Sequence, residues 1–214
     1  MATPLSWLGH ITITLLGSLL FSLVVEWAGI AFFWPEAGAE HAHIMMRQEL
    51  RWFSDEMTRS LLMDNPVGKL EQVLLLAWQK AFIDTGFMPW IESLRHNPGS
   101  YWIDTYLKAS VYIVLTFILR VFVLLLTIPL FILVTLVGIV DGLVRRDIRR
   151  FGCGYESGFI YHHAKRANMP VFFLAWIIYL SLPFSVNSCL ILLPAALLFG
   201  FLVSITVGSF KKYL

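Results

Sequence analysis

Four long apolar runs follow one another along the chain of 214 residues and are separated by polar segments. They cover residues 8–34, 109–140, 170–186 and 189–210. A helix needs roughly 20 apolar residues to cross the hydrocarbon core of a bilayer, so each run is long enough, the third only barely. Pro183 and Pro194 flank the polar turn at Asn187, which favours a tight helical hairpin of the last two runs. The pattern predicts an all-α integral membrane protein with four transmembrane helices.

The segment of residues 35–108, between the first two runs, has helical periodicity of its own. Between residues 40 and 62, apolar side chains recur at spacings of three and four, which predicts an amphipathic helix; they are Met46, Leu50, Phe53, Met57 and Leu61. Residues 67–82 predict a second, more apolar helix. Asn97 and Pro98 are typical of a helix start, so a third helix is expected to run from there into the second span.

Charge sets the expected orientation. The segment of residues 141–169 holds six basic and three acidic residues, namely Arg145, Arg146, Arg149, Arg150, Lys165 and Arg166 against Asp141, Asp147 and Glu156. Lys211 and Lys212 come to the same side after two further crossings. Because cytoplasmic loops carry the excess of Lys and Arg, we expect this segment and both termini in the cytoplasm. Residues 35–108 then form an extracytoplasmic helical segment, which faces the periplasm if the cell is bacterial.

The composition agrees with a membrane protein. Hydrophobic residues make up 58% of the chain and charged residues 14%, whereas soluble domains carry about a quarter charged residues. The two cysteines, Cys153 and Cys189, provide neither a disulfide framework nor metal-ligand spacing.

Two charges interrupt the apolar runs, Glu26 in the first and Arg120 in the second. Counted outward from Leu8, Glu26 lies about 27 Å along a helix, and Arg120 lies about 31 Å from Asp141. Both charges therefore reach a similar depth near the outer interface. One hypothesis is an ion pair that joins the first span to the second; the alternative is that each side chain reaches water separately.

Small residues recur every fourth position in the last run and at the end of the second. They are Ala196, Gly200, Ser204 and Gly208, with Gly138 and Gly142. Such a stripe lets two helix backbones approach closely. It indicates packing between helices of the chain, or else a docking face for a second copy or another membrane protein.

The basic segment is the most distinctive part of the sequence. Clustered arginines beside a span fix topology and contact anionic lipid headgroups, but they leave the glycines about Cys153 and the paired histidines unexplained. We expect a folded loop, with two short interfacial helices, that presents a docking surface. Its residues are Asp141, Gly142, Arg145, Arg146, Asp147, Arg149, Arg150, Glu156, Tyr161, His162, His163, Lys165 and Arg166.

Catalytic chemistry is not indicated. His162 and His163 are adjacent and would point about 100° apart on a helix, so they poorly share one metal. His41 and His43 have no firm third ligand in the sequence, and Cys153 has no local base. Nucleotide-binding, HExxH and GxSxG motifs are absent. We expect neither metal, nor cofactor, nor enzymatic activity, and the basic segment lacks the interleaved aromatic residues of a nucleic-acid site.

The basic segment resembles the signature of the integrating conjugative element membrane proteins. The likeness rests on the run from Val140 to Asp147, on Arg149, Arg150, Glu156 and Ser157, and on the run from Tyr161 to Arg166. The layout of spans is similar over nearly the whole chain. The resemblance implies an accessory inner-membrane protein of conjugation, encoded beside the coupling ATPase that delivers DNA to a type IV secretion channel. That family brings no catalytic residues to carry over.

The function expected from these observations is a non-enzymatic scaffold or docking partner in a conjugative DNA-transfer apparatus. Its expected partners are anionic lipids and other membrane proteins of the apparatus, with the coupling ATPase as one candidate, and a homo-oligomer stays open. The alternative is a small transporter or channel subunit. Polar residues in the spans are mostly Ser and Thr, such as Thr116, Thr127 and Thr135, which bond to their own helices readily. Discontinuous helices at Pro129 and Pro194 would favour transport.

Overall fold

The structure is a computed structural model that describes residues 4–59, 101–152 and 158–210, with Leu76, Lys80, Asp84, Gly86, Pro89 and Ser93 between them. The second predicted outer helix therefore falls almost wholly outside the described residues, as do Cys153, Glu156, Lys211 and Lys212. Five helices are assigned in the described ranges, and none of these residues forms a strand. They are α1 (Pro4–Phe32), α2 (Ala39–Arg59), α3 (Tyr101–Phe151), α4 (Gly158–Ser181) and α5 (Ser188–Gly208). The all-helical fold class is confirmed.

Three of the described helices are long and apolar enough to cross a membrane, within Ile11–Phe32, Trp102–Phe151 and Ser188–Gly208. The helix of the third predicted run, α4, does not reach that standard, so the count of four spans is not confirmed. Its first half is polar and basic, and the helix ends at Ser181 rather than at Val186. Pro183 explains the early end, because a proline disfavours helical backbone in the residue before it, here Leu182.

The basic segment differs from the expected loop with two short helices. Helix α3 continues to Phe151 and α4 begins at Gly158, so most of the segment belongs to the ends of two long helices. Arginine is a strong helix former, and Arg149 and Arg150 in the last turn also interact favourably with the negative end of the helix dipole. At the other end, α3 is described from Tyr101, as expected of an outer helix that runs into the second span.

The chain divides into two compact units. The first contains Met1–Ser18, Arg120–Ser181 and Asn187–Leu214; the second contains Leu19–Leu119 and Leu182–Val186. In the second unit, apolar residues of α1, α2 and α3 pack together; the buried ones are Ile30, Ala42, Met45, Ala109 and Ile113.

The turn between α1 and α2 depends on Gly38. Its φ of 51° is left-handed, and its backbone amide donates to the carbonyl oxygen of Trp34 at 3.1 Å. A Cβ at this position would lie 2.9 Å from Cγ2 of Thr105, so both conformation and space require glycine. The turn brings α2 back against α1.

The buried face of α2 is rotated from the predicted stripe. Ala42, Met45, Glu49 and Phe53 are buried, whereas Met46 and Leu50 are partly exposed. The side chains of Met57 and Leu61 lie outside the described part. The apolar count misplaced the face because it gave no weight to Ala42, whose small side chain allows close approach, or to Glu49, a carboxylate on a buried position.

In the first unit, α4 and α5 form an antiparallel hairpin. Asn187 caps α5 at its N-terminus, where its side-chain oxygen accepts a 2.9 Å hydrogen bond from the amide of Cys189. Both helices also pack against α3, through Phe172 of α4 and Phe199 of α5, whose rings meet Phe131 at 5.4 and 6.1 Å between centroids. The basic end of α3 is thus held in a bundle of three helices.

Candidate functional site: the arginine-bearing end of α3

The face of α3 that packs on α5 is defined by Gly138, Gly142, Arg145 and Arg149, at spacings of four, three and four. A Cβ at Gly138 would lie 2.5 Å from the carbonyl oxygen of Gly200. A Cβ at Gly142 would lie 2.7 Å from the carbonyl oxygen of Ser204. The backbones of α3 and α5 therefore touch along this seam.

The remaining small residues lie on the same seam. Ala196, Gly200 and Ser204 are buried on α5, and a Cβ at Gly208 would lie 3.4 Å from the carbonyl oxygen of Gly142. The stripe thus serves contact between two helices of one chain, which is the intramolecular alternative of the two that the spacing left open.

Asp141 joins the two helices where the apolar run ends. Its Oδ2 accepts a 2.5 Å hydrogen bond from the Ser204 hydroxyl and lies 2.9 Å from Nε of Arg145, one turn further along α3. Arg145 and Asp141 are both about half exposed, so the ion pair itself contributes little. Its effect is to hold Arg145 beside the seam.

Arg149 binds the C-terminal end of α5. Its Nη2 donates a 2.8 Å hydrogen bond to the carbonyl oxygen of Phe210, two residues beyond the end of that helix. A cation at a helix C-terminus interacts favourably with the unpaired carbonyls and the helix dipole. Arg149 is therefore engaged within the protein.

Arg146 and Arg150 lie on a different face of α3. The Nε of Arg146 is 4.0 Å from Asp147, and Arg150 is exposed and pairs with no carboxylate among the described residues. The exposed apolar side chains Val144, Ile148 and Phe151 lie on the other side of α3, with exposed fractions of 51%, 66% and 86%, whereas Leu143, which is 40% exposed, lies on the face of the two arginines. The four arginines, which the sequence presented as one set, thus divide into two pairs. Arg145 and Arg149 form a bound pair at the seam with α5, and Arg146 and Arg150 form an outward pair on another face of α3.

At the start of α4, the histidine pair has separate partners. His163 Nδ1 donates to the carbonyl oxygen of Phe159 at 2.9 Å, whereas the ring of His162 meets that of Tyr161 at 5.3 Å. Lys165 lies over the Tyr161 ring at 5.6 Å, and Arg166 is exposed. Within the part of the chain that the structure describes, no three His, Cys, Asp or Glu side chains form a metal-binding group.

Arg120 is 2% exposed and sits at the C-terminal end of α4. Its Nη1 donates to the carbonyl oxygen of Leu180 at 3.3 Å, and its guanidinium lies 5.8 Å from the centre of the Tyr179 ring. The negative end of α4 and the face of an aromatic ring both stabilise a buried cation. This accounts for an arginine inside an apolar run.

Glu26, in the second unit, is fully buried, and its Oε1 lies 3.1 Å from Nδ1 of His41 on α2. The His41 ring stacks on Trp34 with centroids 4.2 Å apart. His43 instead contacts Glu40 at 3.4 Å. The Glu26–Arg120 pair would join residues of the two different units, and it stays a prediction.

The threonine hydroxyls in the apolar part of α3 donate to carbonyl oxygens of their own helix. The hydroxyls of Thr116, Thr127 and Thr135 donate to the carbonyl oxygens of Tyr112, Leu124 and Phe131 at 2.9, 2.8 and 2.6 Å. Helices α3 and α5 also run without a break through Pro129 and Pro194. Neither observation favours a polar path along these helices.

These features define an all-helical protein with candidate membrane spans and a basic helix end held at one end of a three-helix bundle. Residues 33–211 match the family described as DtrJ-like, IncC plasmid conjugative DNA transfer protein DtrJ-like. The chain belongs to this family, and the resemblance to a conjugation-associated family is confirmed. No curated protein and no solved structure matches it.

Proposed function

We propose that the chain is a non-enzymatic scaffold of a conjugative DNA-transfer apparatus, set in the bacterial inner membrane by four spans with both termini in the cytoplasm. The outward pair Arg146 and Arg150 forms the centre of its cytoplasmic docking surface. Involvement in conjugative DNA transfer follows from the family; the scaffold role rests on the division of the arginines into a bound and an outward pair.

The path of the chain in the first unit supports a fourth span. Arg149 of α3 meets the end of α5, and α4 starts seven residues after Phe151, at the same end of the bundle. Arg120 meets the far end of α4, from which a short turn leads to the start of α5. If α5 crosses the bilayer, α4 has to cross the same layer in the opposite direction.

The low mean hydropathy of α4 is compatible with that crossing. Its polar first half lies beside the basic end of α3, at headgroup level in this topology, while its apolar half from Pro170 to Ser181 packs on two apolar helices. A helix shielded by neighbours needs less apolar surface than one that faces lipid on every side.

The outward pair has the chemistry of a docking site. Arginine binds carboxylates in bidentate geometry and is enriched at protein interfaces. We propose an acidic surface of a transfer-apparatus protein as the partner, with the coupling ATPase as the first candidate. We also propose that the apparatus includes a type IV secretion channel and that the chain is encoded by an integrating conjugative element. The self-bonded threonines support a scaffold over a channel.

The test compares two pairs of arginines, each four residues apart on a helix. Arg146→Gln with Arg150→Gln removes the outward pair; Arg47→Gln with Arg51→Gln on α2 is the matched control. We expect the first variant to lower the frequency of DNA transfer from donor cells at least tenfold and to lose a co-purified partner, with membrane content and melting temperature unchanged. Unchanged transfer and partner recovery would reject the docking role.

A further inference from the structure

The first unit contains an apolar groove of about 280 Å³ between α3, α4 and α5. Its floor is aromatic: Phe131, Phe172 and Phe199 meet pairwise with centroids 5.4 to 6.1 Å apart, and Trp176 lies 4.9 Å from Phe172. Ile132 and Thr135 line its side. The Thr135 hydroxyl donates to its own helix, so the groove offers almost no polar surface. Its volume is just below the roughly 300–1,000 Å³ of pockets that enclose a whole small ligand.

The groove lies midway along the apolar part of α3. Phe131 is eleven residues from Arg120 and ten from Asp141, about 16 and 15 Å along the helix. These distances are each about half of the ~30 Å hydrocarbon core. In the proposed topology the groove is therefore at the middle of the bilayer, at the depth that the end of an acyl chain reaches.

The groove-lining faces of two helices continue to basic residues at the cytoplasmic end. On α3, the face of Ile132 and Leu136 continues through Leu143 to Arg146 and Arg150, at helical spacings of three and four or their sums. On α4, the face of Phe172 continues through Met169 to Lys165. Three cations thus lie on the same faces as the groove, one half of the bilayer away from it.

Arginine and lysine side chains at such positions extend along the helix, so their charged ends lie at the level of the lipid phosphates. Basic pockets between transmembrane helices on the cytoplasmic side bind anionic headgroups. An apolar groove for an acyl chain and cations for a phosphate, arranged along one line, are together complementary to a phospholipid. A partner helix would need the groove but not the cations.

We propose that this groove and the basic residues below it bind one anionic phospholipid of the inner leaflet. The end of an acyl chain occupies the groove, and the phosphate lies against Arg146, Arg150 and Lys165. This inference rests on the proposed membrane orientation. It gives the outward arginines a lipid ligand in addition to, and separable from, a protein partner.

The experiment uses the purified full chain in nanodiscs of phosphatidylcholine. A phosphatidylglycerol that carries a photoactivatable diazirine near the end of one acyl chain is added at increasing concentration, and the crosslinked residues are identified by mass spectrometry. Phosphatidylcholine with the same labelled chain is the headgroup control. We expect half-saturating crosslinks to groove residues at a phosphatidylglycerol concentration at least tenfold lower than for phosphatidylcholine.

Two pairs of variants test the groove and the cations separately. Thr135→Phe fills the groove and should abolish the groove crosslinks, whereas Val137→Phe, an exposed position on the other face of α3 at the same depth, should leave them. Arg146→Gln with Arg150→Gln should remove the preference for phosphatidylglycerol, whereas Arg47→Gln with Arg51→Gln should retain it.

Equal crosslinking by both lipids, or crosslinks spread evenly over lipid-facing residues, would overturn the proposal and indicate general lipid contact. Crosslinks between two copies that exclude the labelled lipid from the groove would overturn it in favour of a dimer. Because no transfer protein is present, failure here leaves the docking role intact. Conversely, Thr135→Phe with normal DNA transfer would separate the lipid site from docking.

Discussion

Arg149 on α3 donates a 2.8 Å hydrogen bond to the carbonyl oxygen of Phe210, at the C-terminal end of α5. Arg120, near the other end of the same three-helix bundle, makes the corresponding contact with Leu180 at the end of α4. The two arginines are 29 residues apart on α3, about 44 Å along the helix. That length matches the ~40–45 Å of a bilayer with its headgroup regions. Helix α3 thus holds both ends of the α4–α5 hairpin.

Arg149→Gln should lower the free energy of unfolding by about 1–2 kcal/mol, because the end of α5 loses a charge-assisted hydrogen bond and a favourable dipole interaction. Thermal and denaturant unfolding of the detergent-solubilised chain measures this change. Arg150→Gln, one residue away and exposed, is the control and should change stability by less than about 0.5 kcal/mol. Equal effects of the two substitutions would contradict the division of the arginines.

Arg120→Gln should be more costly, about 2–3 kcal/mol, because it removes a buried cation from the carbonyl end of α4 and from the Tyr179 ring. Arg120→Lys keeps a charge and a donor and should retain part of that stability. The same unfolding measurement applies to both variants. Stability that is unaffected by Arg120→Gln would show that the contact with Leu180 contributes nothing.

Gly138→Ala should destabilise the bundle by about 1–3 kcal/mol, because the new methyl group meets the carbonyl oxygen of Gly200 and the two helices have to separate. Gly17→Ala on α1 is the matched control, since a Cβ there has no neighbour within 4 Å among the described residues. Alanine is the better helix former, so the control should be neutral or stabilising. Destabilisation by both substitutions alike would argue against a close backbone seam at Gly138.

Glu26 and His41 should be energetically coupled. A double-mutant cycle of Glu26→Gln and His41→Ala is expected to give about 1 kcal/mol or more, because one partner is fully buried. The pair of Glu40 and His43, in which the Glu40 side chain is 65% exposed, is the comparison and should give less than about 0.5 kcal/mol. A Glu26 cycle as small as the Glu40 cycle would mean that the contact does not hold α2 on α1.

The hydrophobic pattern predicted the helical class, the extension of α3 before its apolar run and the small-residue seam, because periodicity and spacing are local properties of the sequence. It misplaced the buried face of α2 and treated the basic segment as a separate loop. It also gave no sign that Arg149 binds Phe210 or that Arg120 binds Leu180. Those contacts join residues 61 and 60 positions apart, and which arginines face a neighbouring helix depends on packing that one sequence does not encode locally.

The third apolar run shows the same limit. By hydropathy alone, α4 is not a candidate membrane span. The contact of Arg120 with the end of α4, close to the turn that leads into α5, supports the proposed crossing. Whether α4 crosses decides on which side of the membrane the rest of the chain lies, and therefore whether the outward arginines and the C-terminus share one compartment.

The most direct test uses the two cysteines of the chain as reporters. Cys153 follows the end of α3, and Cys189 is exposed at the start of α5, so a crossing α4 separates them. Single-cysteine variants, Cys189→Ser and Cys153→Ser, are treated in spheroplasts with a membrane-impermeant maleimide. In the proposed four-span topology, Cys189 is labelled in intact spheroplasts and Cys153 only after permeabilisation. Labelling of both cysteines under the same condition, or the reverse order, would contradict a four-span scaffold that presents its arginines to the cytoplasm.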